Sequence, residues 1–254
     1  MEESQGVGNL FFELASESRL QILCELKQKS GKMNEIAKRL NLTTTESFRQ
    51  FQRLSEQQLI RKQSDGSYVL SEYGKLILHL TPTLEFVYQN KDYFSTRDIW
   101  KIPDEFLSRI GELSSGTLST NVTDSINLGE KMAKEAEEYF WAIGDKALNS
   151  IGPLLFAPSK KGVEVKTLRF IFADSLTPLY RPTQEQVGME QRTLPAIPAL
   201  IACTKKEAAI CLLTADDKVD YAGFFGTDPV FRKWVEDLFL HFWAKGKRVI
   251  PGTS

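Results

Sequence analysis

The first third of the chain has hydrophobic residues at helical spacing. Residues 16–28 place Leu20, Leu23 and Leu26 on one stripe, which predicts an amphipathic helix of about three turns. After a polar Lys-Ser-Gly break, residues 33–40 repeat the pattern and predict a shorter second helix. Asn41 suits the exit of that helix, because asparagine tolerates the left-handed conformation common after a helix C-terminus.

A third helix is expected to begin at Thr43. This threonine stands three residues before Glu46, the spacing of a capping box, in which both side chains satisfy free backbone N–H groups. Phe48, Phe51 and Leu54 are predicted to share the buried face of the helix. The polar side chains are then left mostly on the other faces.

Residues 61–71, with the sequence RKQSDGSYVLS, predict a small β-hairpin. Asp65 and Gly66 would form its turn, because the pair Asp-Gly favours the tight turns that join antiparallel strands. Three short helices followed by a two-stranded hairpin is the element order of a winged helix.

Residues 72–90 carry a long apolar stripe. Its side chains recur at spacings of four, four and three: Leu76, Leu80, Leu84 and Val87. Pro82 removes a backbone donor, so we expect this helix to be kinked or split near Thr81. The stripe has two interpretations: a helix packed on its own domain, or a linker helix that pairs with a second subunit.

The rest of the chain predicts an α/β or α+β domain. Helical patterns cover residues 103–113 and 124–149. Strand-like runs lie at residues 154–156, 163–172, 199–203, 208–213 and 219–225. A final helix is marked by Asp228 as its cap, Pro229 at its first position and Gly246 after its end.

Charge is uneven along the chain. The 254 residues hold 32 Lys and Arg against 33 Asp and Glu, a net charge of -1 that by itself argues against a nucleic-acid partner. Residues 26–80, however, contain ten basic and five acidic side chains, so this segment carries +5 and the remainder -6. A solvated, mildly basic face is the commoner cause of such a cluster, but together with the winged-helix order it favours DNA.

The third predicted helix would then be the recognition helix, which lies in the major groove in helix-turn-helix proteins. Arg49, Gln50 and Arg53 are the candidates for base readout, because Arg and Gln can each form two coplanar hydrogen bonds with a base. Phosphate contacts are expected from residues at the helix N-terminus and in the wing: Thr44, Thr45, Ser47, Arg61 and Lys62.

The sequence offers little for catalysis or metal binding. His79 and His241 lie among apolar neighbours at helical spacing, and no CxxC, HxxxH or HExxH spacing occurs. The phosphate-binding loop, the dinucleotide-binding motif and the serine nucleophile elbow are also missing. We therefore expect no catalytic residue, no metal and no cofactor.

The three cysteines favour a reducing, cytoplasmic setting, since an odd number makes no disulfide framework. If a hairpin turns at residues 205–206, Cys203 faces Ala208 and Cys211 faces Leu200, so the two thiols are out of register. The polar, acidic N-terminus and the lack of an apolar run of about 18 residues predict neither a signal peptide nor a membrane span.

The N-terminal third resembles the winged-helix domains of small bacterial and archaeal repressors. The segments that carry the resemblance are LASESRLQILCEL, MNEIAKRLNLTTTESFRQFQRLSEQQLIRK and SDGSYVLSEYGKLIL. Metal-sensing repressors carry paired cysteines on the helix that matches residues 33–40, and this chain has none there. The resemblance therefore implies DNA binding without metal sensing.

The remainder resembles archaeal regulators that join such a domain to the middle domain of the methanogenesis and filamentation regulator family. The matching segments are KIPDEFLSRIGEL (residues 101–113), GVEVKTLRFIF (162–172) and DYAGFFGTDPVFRKWVEDLFLHFWAKGK (220–247). This resemblance implies a phospholipase D-like α/β fold that acts as a sensory or oligomerisation module. The HxK motif needed for phospholipase chemistry is missing, so no catalytic role is carried over.

These features predict an α+β protein with an N-terminal winged helix-turn-helix domain (residues 1–80), a linker helix (81–100) and a C-terminal, phospholipase D-like, non-catalytic α/β domain (101–254). We expect a homodimeric, sequence-specific transcriptional regulator that binds double-stranded DNA and responds to an unknown small-molecule effector. Two alternatives stay open: a hydrolase-like C-terminal domain, and a winged-helix protein that binds the transcription machinery. Polar residues near strand ends fit either an effector pocket or the surface: Arg169, Tyr180, Arg181, Arg192 and Tyr221.

Overall fold

A computed structural model describes residues 2–144, 151–170 and 189–248 of the chain. These residues form two compact units, an N-terminal unit (residues 1–84) and a C-terminal unit (residues 85–254). No helix among them is both long enough and apolar enough to cross a membrane.

The N-terminal unit combines five helices with a small sheet. Its helices are α1 (Glu2–Leu14), α2 (Glu17–Gln28), α3 (Met33–Arg39), α4 (Thr44–Glu56) and the first part of α5 (Glu72–Gln89). Its strands are β1 (Gly31–Lys32), β2 (Ile60–Lys62) and β3 (Ser67–Leu70), with β3 between the other two and antiparallel to both. This is the arrangement of a winged helix-turn-helix domain, as the periodicity predicts, with α1 added in front of it.

Several local predictions for this unit are confirmed. Thr43 caps α4, accepting a hydrogen bond from the Glu46 backbone N–H at 3.2 Å. The reciprocal half of the predicted capping box is wrong, because the Glu46 carboxylate accepts instead from the Ser18 hydroxyl of α2 at 3.0 Å. Asn41 has the expected left-handed conformation, with φ of 54°. The core of the unit is apolar and includes Ile22, Leu23, Ile36, Phe51, Leu54 and Leu59.

One further prediction for this unit is wrong, and one part of another is also wrong. Phe48 is 62% exposed, because the inward face of α4 runs through Ser47, Gln50, Phe51 and Leu54. The expected split of α5 near Thr81 does not occur, because the helix continues past Pro82; a kink there stays a prediction.

Helix α5 carries Pro82 in its interior. Pro82 is exposed, and the Thr81 hydroxyl donates a hydrogen bond to the Ile77 carbonyl of the preceding turn at 2.9 Å. The start of α5 packs closely on the chain before β2: a Cβ atom at Gly74 would lie 2.1 Å from the Leu59 carbonyl oxygen. The boundary between the two units falls inside α5, after Leu84.

Within the described residues, the C-terminal unit is built on a mixed sheet of eight strands. Its α-helices there are α6 (Lys91–Phe94), α7 (Asp104–Leu107), α8 (Val122–Glu135), α9 (Phe156–Lys160) and α10 (Pro229–Lys245). Its strands are β4 (Thr117–Ser119), β5 (Tyr139–Gly144), β6 (Glu164–Phe170), β7 (Met189–Leu194), β8 (Ala199–Thr204), β9 (Ala208–Leu212), β10 (Gly223–Gly226) and β11 (Lys247–Arg248). The strand order is β11-β7-β6-β5-β8-β9-β10-β4. Strands β5, β6 and β7 are parallel, and the other pairs are antiparallel.

Each face of this sheet is covered by helices. Helix α10 buries Phe231, Trp234 and Leu238 against one face, in the larger core. Helix α8 contributes Met132 and Ala133 to a second core on the other face. The fold class is therefore α+β, with an N-terminal winged helix and a C-terminal α/β unit; its phospholipase D-like character stays a prediction.

The final helix and the hairpin before it agree with the sequence. The Asp228 carboxylate accepts hydrogen bonds from the backbone N–H groups of Val230 and Phe231, at 2.8 and 3.2 Å. In the β8–β9 hairpin Cys203 pairs with Ala208 and Leu200 with Cys211, which is the expected register. All three cysteines are free.

Three other expectations for the C-terminal unit are wrong. The helix expected over residues 124–149 ends at Glu135, and β5 follows it. Phe140 and Ile143 fit a helical stripe by their spacing, but YFWAIG is also the continuous apolar run of a central strand buried on both faces. Residues 154–156 are helical, and residues 103–113 form short α and 3-10 turns in place of one helix.

Candidate nucleic-acid interface

Helix α4 exposes one side of its N-terminal half. The exposed side chains there belong to Thr44, Thr45, Phe48 and Arg49, and Gln52 follows one turn later. The helix begins in the loop after α3, so it is the second helix of the helix-turn-helix pair. A face of this kind brings hydroxyl groups, a guanidinium and free backbone N–H groups to one surface, where they can meet phosphates and base edges.

Arg49 is the long cation available on this face. Its side chain is exposed and has no ion pair within the part of the chain that the structure describes. An unpaired guanidinium on the outer side of a recognition helix can present two parallel N–H donors to the O6 and N7 atoms of guanine. The geometry thus keeps Arg49 as a readout candidate.

Gln50 and Ser47 face the interior, which removes them from the predicted contact set. Gln50 is 6% exposed, and its side-chain carbonyl accepts a hydrogen bond from Arg19 Nη1 at 3.0 Å. Ser47 is buried and donates its hydroxyl to the Thr43 carbonyl at 2.8 Å. Both side chains are buried and hydrogen-bonded within the unit, so they do not reach the exposed face.

Arg53 belongs to a network that connects α1, α2 and α4. Its guanidinium donates to the Glu13 carboxylate at 2.6 and 3.2 Å and lies over the Phe12 ring. The same carboxylate pairs with the buried Arg19 at 2.8 Å. Arg19 also donates to the backbone carbonyls of Phe12 and Glu13, both at 2.8 Å. Arg53 is therefore held by protein partners, and its contact with DNA stays a prediction.

Glu13 is the acidic centre of this network. It is 4% exposed, and the hydrogen bond from Arg53, together with the charges of Arg19 and Arg53, holds the pKa of its carboxyl below the ordinary value against the opposing effect of burial. The sequence-based reasoning missed this residue and the helix that carries it. Leu10 and Leu14, which are spaced by one turn and pack on the N-terminal core, are the signal that could have found α1.

The two cations of the wing lie on opposite faces of the hairpin. Arg61 is paired with Val69 and Lys62 with Tyr68. Lys62 Nζ lies over the Tyr68 ring, and that ring contacts Phe51 of α4 edge-on with centroids 4.7 Å apart. Because side chains alternate along a strand, Lys62 points to the α4 side of the wing and Arg61 points away from it.

Arg61 instead lines a surface hollow behind the wing. The hollow is also lined by Lys27, Lys75, Gln63 and His79. Its floor is apolar, formed by Leu26, Val69, Leu70 and Leu78. The structure thus places Lys62 on the side of the hairpin that packs against α4, and Arg61 on the opposite side.

The whole N-terminal unit is less basic than residues 26–80 alone. Residues 1–84 contain eleven Lys and Arg against ten Asp and Glu, because half of the acidic side chains precede residue 26. One of those acids, Glu13, is buried between two arginines. The position of the unpaired cations, more than the net charge of the unit, therefore defines the candidate interface.

A cavity of about 80 Å³ lies in the C-terminal unit between α8 and the sheet. Its floor contains Ala142, Ala202 and Ala209, which are paired directly across β5, β8 and β9. Small side chains on three neighbouring strands leave room that larger ones would fill. Its walls are mostly apolar and include Ile126, Phe140, Leu200, Ile201 and Phe225.

Of the polar residues considered for an effector pocket, Tyr221 lines this cavity. It has a left-handed backbone, with φ of 59°, and its carbonyl accepts a hydrogen bond from the Cys211 thiol. Arg192 is elsewhere: its guanidinium donates to the Trp243 carbonyl and pairs with Glu190. Arg169 is buried in β6, and Tyr180 and Arg181 lie outside the described residues.

Groups suited to catalysis are sparse in the described part of the chain. No set of three or more His, Cys, Asp or Glu side chains there is grouped to hold a metal ion. Burial raises the pKa of the Cys211 thiol to about 12 and that of the Cys203 thiol well above its ordinary value, so neither thiol ionises near neutral pH. His241 packs against Phe106, with Nδ1 2.9 Å from a Glu105 carboxylate oxygen.

The fold and this surface define the N-terminal unit as a winged helix-turn-helix domain. No protein-family model matches the chain, and no curated protein sequence is similar to it. One solved structure similar to the chain is that of TrmBL2, described as an archaeal chromatin protein with a novel mode of DNA binding. The likeness covers 92% of this chain and 94% of TrmBL2, at 13% identity and a TM-score of 0.44. At those values it establishes neither a shared family nor a shared function.

Proposed function

We propose that this protein is a sequence-specific transcriptional regulator that binds double-stranded DNA through α4. The observation that carries the proposal is the exposed face of α4, with Thr44, Thr45 and the unpaired Arg49 at the end that enters the major groove in helix-turn-helix proteins. Arg49 would read a guanine, and Thr44 and Thr45 would hold the phosphates beside the helix N-terminus. Lys62 would grip the adjacent backbone from the wing.

We also propose that the protein acts as a homodimer. Tyr73, Leu76, Leu80 and Leu84 are exposed and lie along one side of α5. A contiguous apolar stripe of this kind marks an interaction surface in a protein of ordinary composition. A second copy of the chain suits it, because a stripe paired with its own copy buries leucine on leucine and sets two recognition helices on a pseudo-palindromic site.

The alanine-floored cavity of the C-terminal unit is the place we propose for an effector. Its walls are almost wholly apolar, so the effector would be a small molecule of low polarity. An atom of xenon is a suitable probe, because dry apolar cavities in proteins bind it. We expect the ¹²⁹Xe chemical shift to move with the concentration of the wild-type protein.

In the Ala202→Leu variant, which fills the cavity floor, that shift should be lost. Ala15→Leu, at an exposed position of the N-terminal unit, is the control and should keep it. Equal shifts for wild type and Ala202→Leu would contradict the assignment of the cavity as a ligand site.

The alternatives are a hydrolase-like C-terminal domain and a partner in the transcription machinery. Selection from random DNA, followed by affinity measurements over a salt series, separates them from the proposal. A DNA-binding regulator yields an enriched sequence, with an affinity that falls steeply as salt rises. The proposal places the protein in the cytoplasm, without catalytic residues, metal or cofactor, and the absence of an enriched sequence would contradict it.

Substitutions in the interface sharpen this test. Arg49→Ala should weaken binding to the selected site by about tenfold or more and relax base preference at one position, because a bidentate contact with guanine contributes about 1–3 kcal/mol. Lys62→Ala should weaken specific and random DNA equally and reduce the salt slope by about one.

Arg61→Ala is the matched control for the wing, since it removes the neighbouring cation from the opposite face of the hairpin. It should change affinity much less than Lys62→Ala. If the two variants lost the same affinity for DNA, both faces of the wing would contact DNA. That result would contradict the placement of the interface on the α4 side.

A further inference from the structure

The most exposed large apolar side chain of α4 is Phe48. The residue is 62% exposed, and its ring makes no aromatic or cation–π contact with the residues that the structure describes. Phe12, which is similarly exposed, differs from it, because the guanidinium groups of Arg19 and Arg53 lie over the Phe12 ring. The position of Phe48 therefore has no explanation in the packing of its own unit.

The surroundings of Phe48 are those of a base-reading position. It lies one turn after Thr44 and directly before Arg49, on the side of α4 that is left uncovered. A phenyl ring has no donor or acceptor for a phosphate, so it contributes to DNA binding only where it meets an apolar part of the nucleic acid. In the major groove that part is the C5-methyl group of thymine.

We infer that Phe48 is a specificity-determining residue that selects thymine by covering its C5-methyl group. This inference rests on the proposed function, and it adds a second kind of readout to the guanine contact of Arg49. The two residues are consecutive, so the thymine and the guanine belong to the same half-site. Covering the ring and the methyl group together removes apolar area from water, which favours the thymine-containing site.

The experiment replaces thymine by deoxyuridine, one position at a time, in the half-site obtained by selection. This exchange removes a single methyl group and leaves the Watson–Crick pair and the hydrogen-bonding groups of the major groove unchanged. Wild-type protein should lose about fourfold in affinity at one thymine, the value of one buried methyl group. Phe48→Ala should bind the thymine site more weakly and show no further loss at that deoxyuridine.

Controls separate a direct contact from a general effect. Gln52→Ala changes an exposed residue one turn further along α4, whose amide donates to Glu56, and it should keep the fourfold deoxyuridine effect. Phe48→Leu retains an apolar side chain and should keep part of the deoxyuridine effect. Because Phe48 is exposed, unfolding of Phe48→Ala in denaturant should match that of wild type, which shows that any loss of affinity arises at the interface.

The possible outcomes distinguish this inference from the proposed function. The role of Phe48 is overturned if the protein binds a specific sequence but no deoxyuridine exchange weakens that binding. It is also overturned if Phe48→Ala loses the same affinity on that exchange as wild type does. Both results leave DNA recognition by α4 intact. A protein that selects no DNA sequence overturns both the inference and the proposed function. The inference is supported if Phe48→Ala loses the deoxyuridine effect and Gln52→Ala keeps it.

Discussion

Replacing Glu13 by alanine should lower the free energy of unfolding of the N-terminal unit by about 3 kcal/mol, the low end of the range for breaking a buried ion pair from one side. Glu13 and Arg19 are both almost fully buried, and their charged groups lie 2.8 Å apart. Without the carboxylate, Arg19 keeps its hydrogen bonds to Gln50 and to backbone carbonyls but has no counter-charge. Arg53 also loses the partner that holds it against α1.

Hydrogen exchange of α2 and α4 amides in the full-length chain is the measurement of choice. All four tryptophans, at positions 100, 141, 234 and 243, lie in the C-terminal unit, so their fluorescence does not report on Glu13. Glu25→Ala is the matched control: it breaks the more exposed pair with Arg39 and should cost about 0.5 kcal/mol. If the amides of α2 and α4 were equally protected from hydrogen exchange in the two variants, the structural role of the Glu13 network would be contradicted.

The same network predicts a pH dependence. Arg53 and Arg19 hold the pKa of Glu13 below that of an unfolded glutamate, so the stabilisation is complete above the unfolded value of about 4.3. It is lost as the pH falls below that value and through the folded pKa. The protection of α2 and α4 amides from hydrogen exchange should therefore decrease in wild type as the pH falls through this range. The Glu13→Ala variant should lack the decrease that comes from protonation of Glu13.

The second large effect is expected from Leu80→Glu, which places a carboxylate in the apolar stripe of α5. If the stripe pairs with its copy, the dissociation constant of the dimer should rise by about 100-fold, because a buried charge would have no partner at the interface. Affinity for a two-half-site operator should fall by about 100-fold as well, since each monomer must then bind its half-site alone. Analytical ultracentrifugation and operator titrations measure the two changes.

His79→Glu is the control for this substitution. His79 is exposed, adjacent in sequence and directed into the hollow behind the wing, and the substitution introduces the same carboxylate on the same helix. It should leave the dimer intact. A wild-type protein that sediments as a monomer, both free and on DNA, would remove the dimer from the proposal.

The candidate site was only partly predictable from sequence. Thr43 caps α4 as the local pattern predicts, because a helix start depends on near neighbours. Arg49 and Lys62 are exposed, and their contacts with DNA stay predictions. The spacing of Phe48 from Phe51 fits a helical stripe and predicts a shared buried face, but Phe48 is exposed. Gln50 is predicted to read a base, but its side-chain carbonyl accepts a hydrogen bond from the buried Arg19.

The sequence by itself determined the winged-helix order, the start of α4, the final helix and the register of the β8–β9 hairpin, since each follows from spacing and capping over a few residues. Only the tertiary structure decided which side of α4 is exposed, which arginine is paired and which wing cation points toward α4. The physical reason is that the rotation of a helix against its core, and the partner of a buried charge, depend on elements distant in sequence. Glu13 and Arg53 are 40 residues apart, yet their ion pair leaves Arg49 as the unpaired arginine of α4.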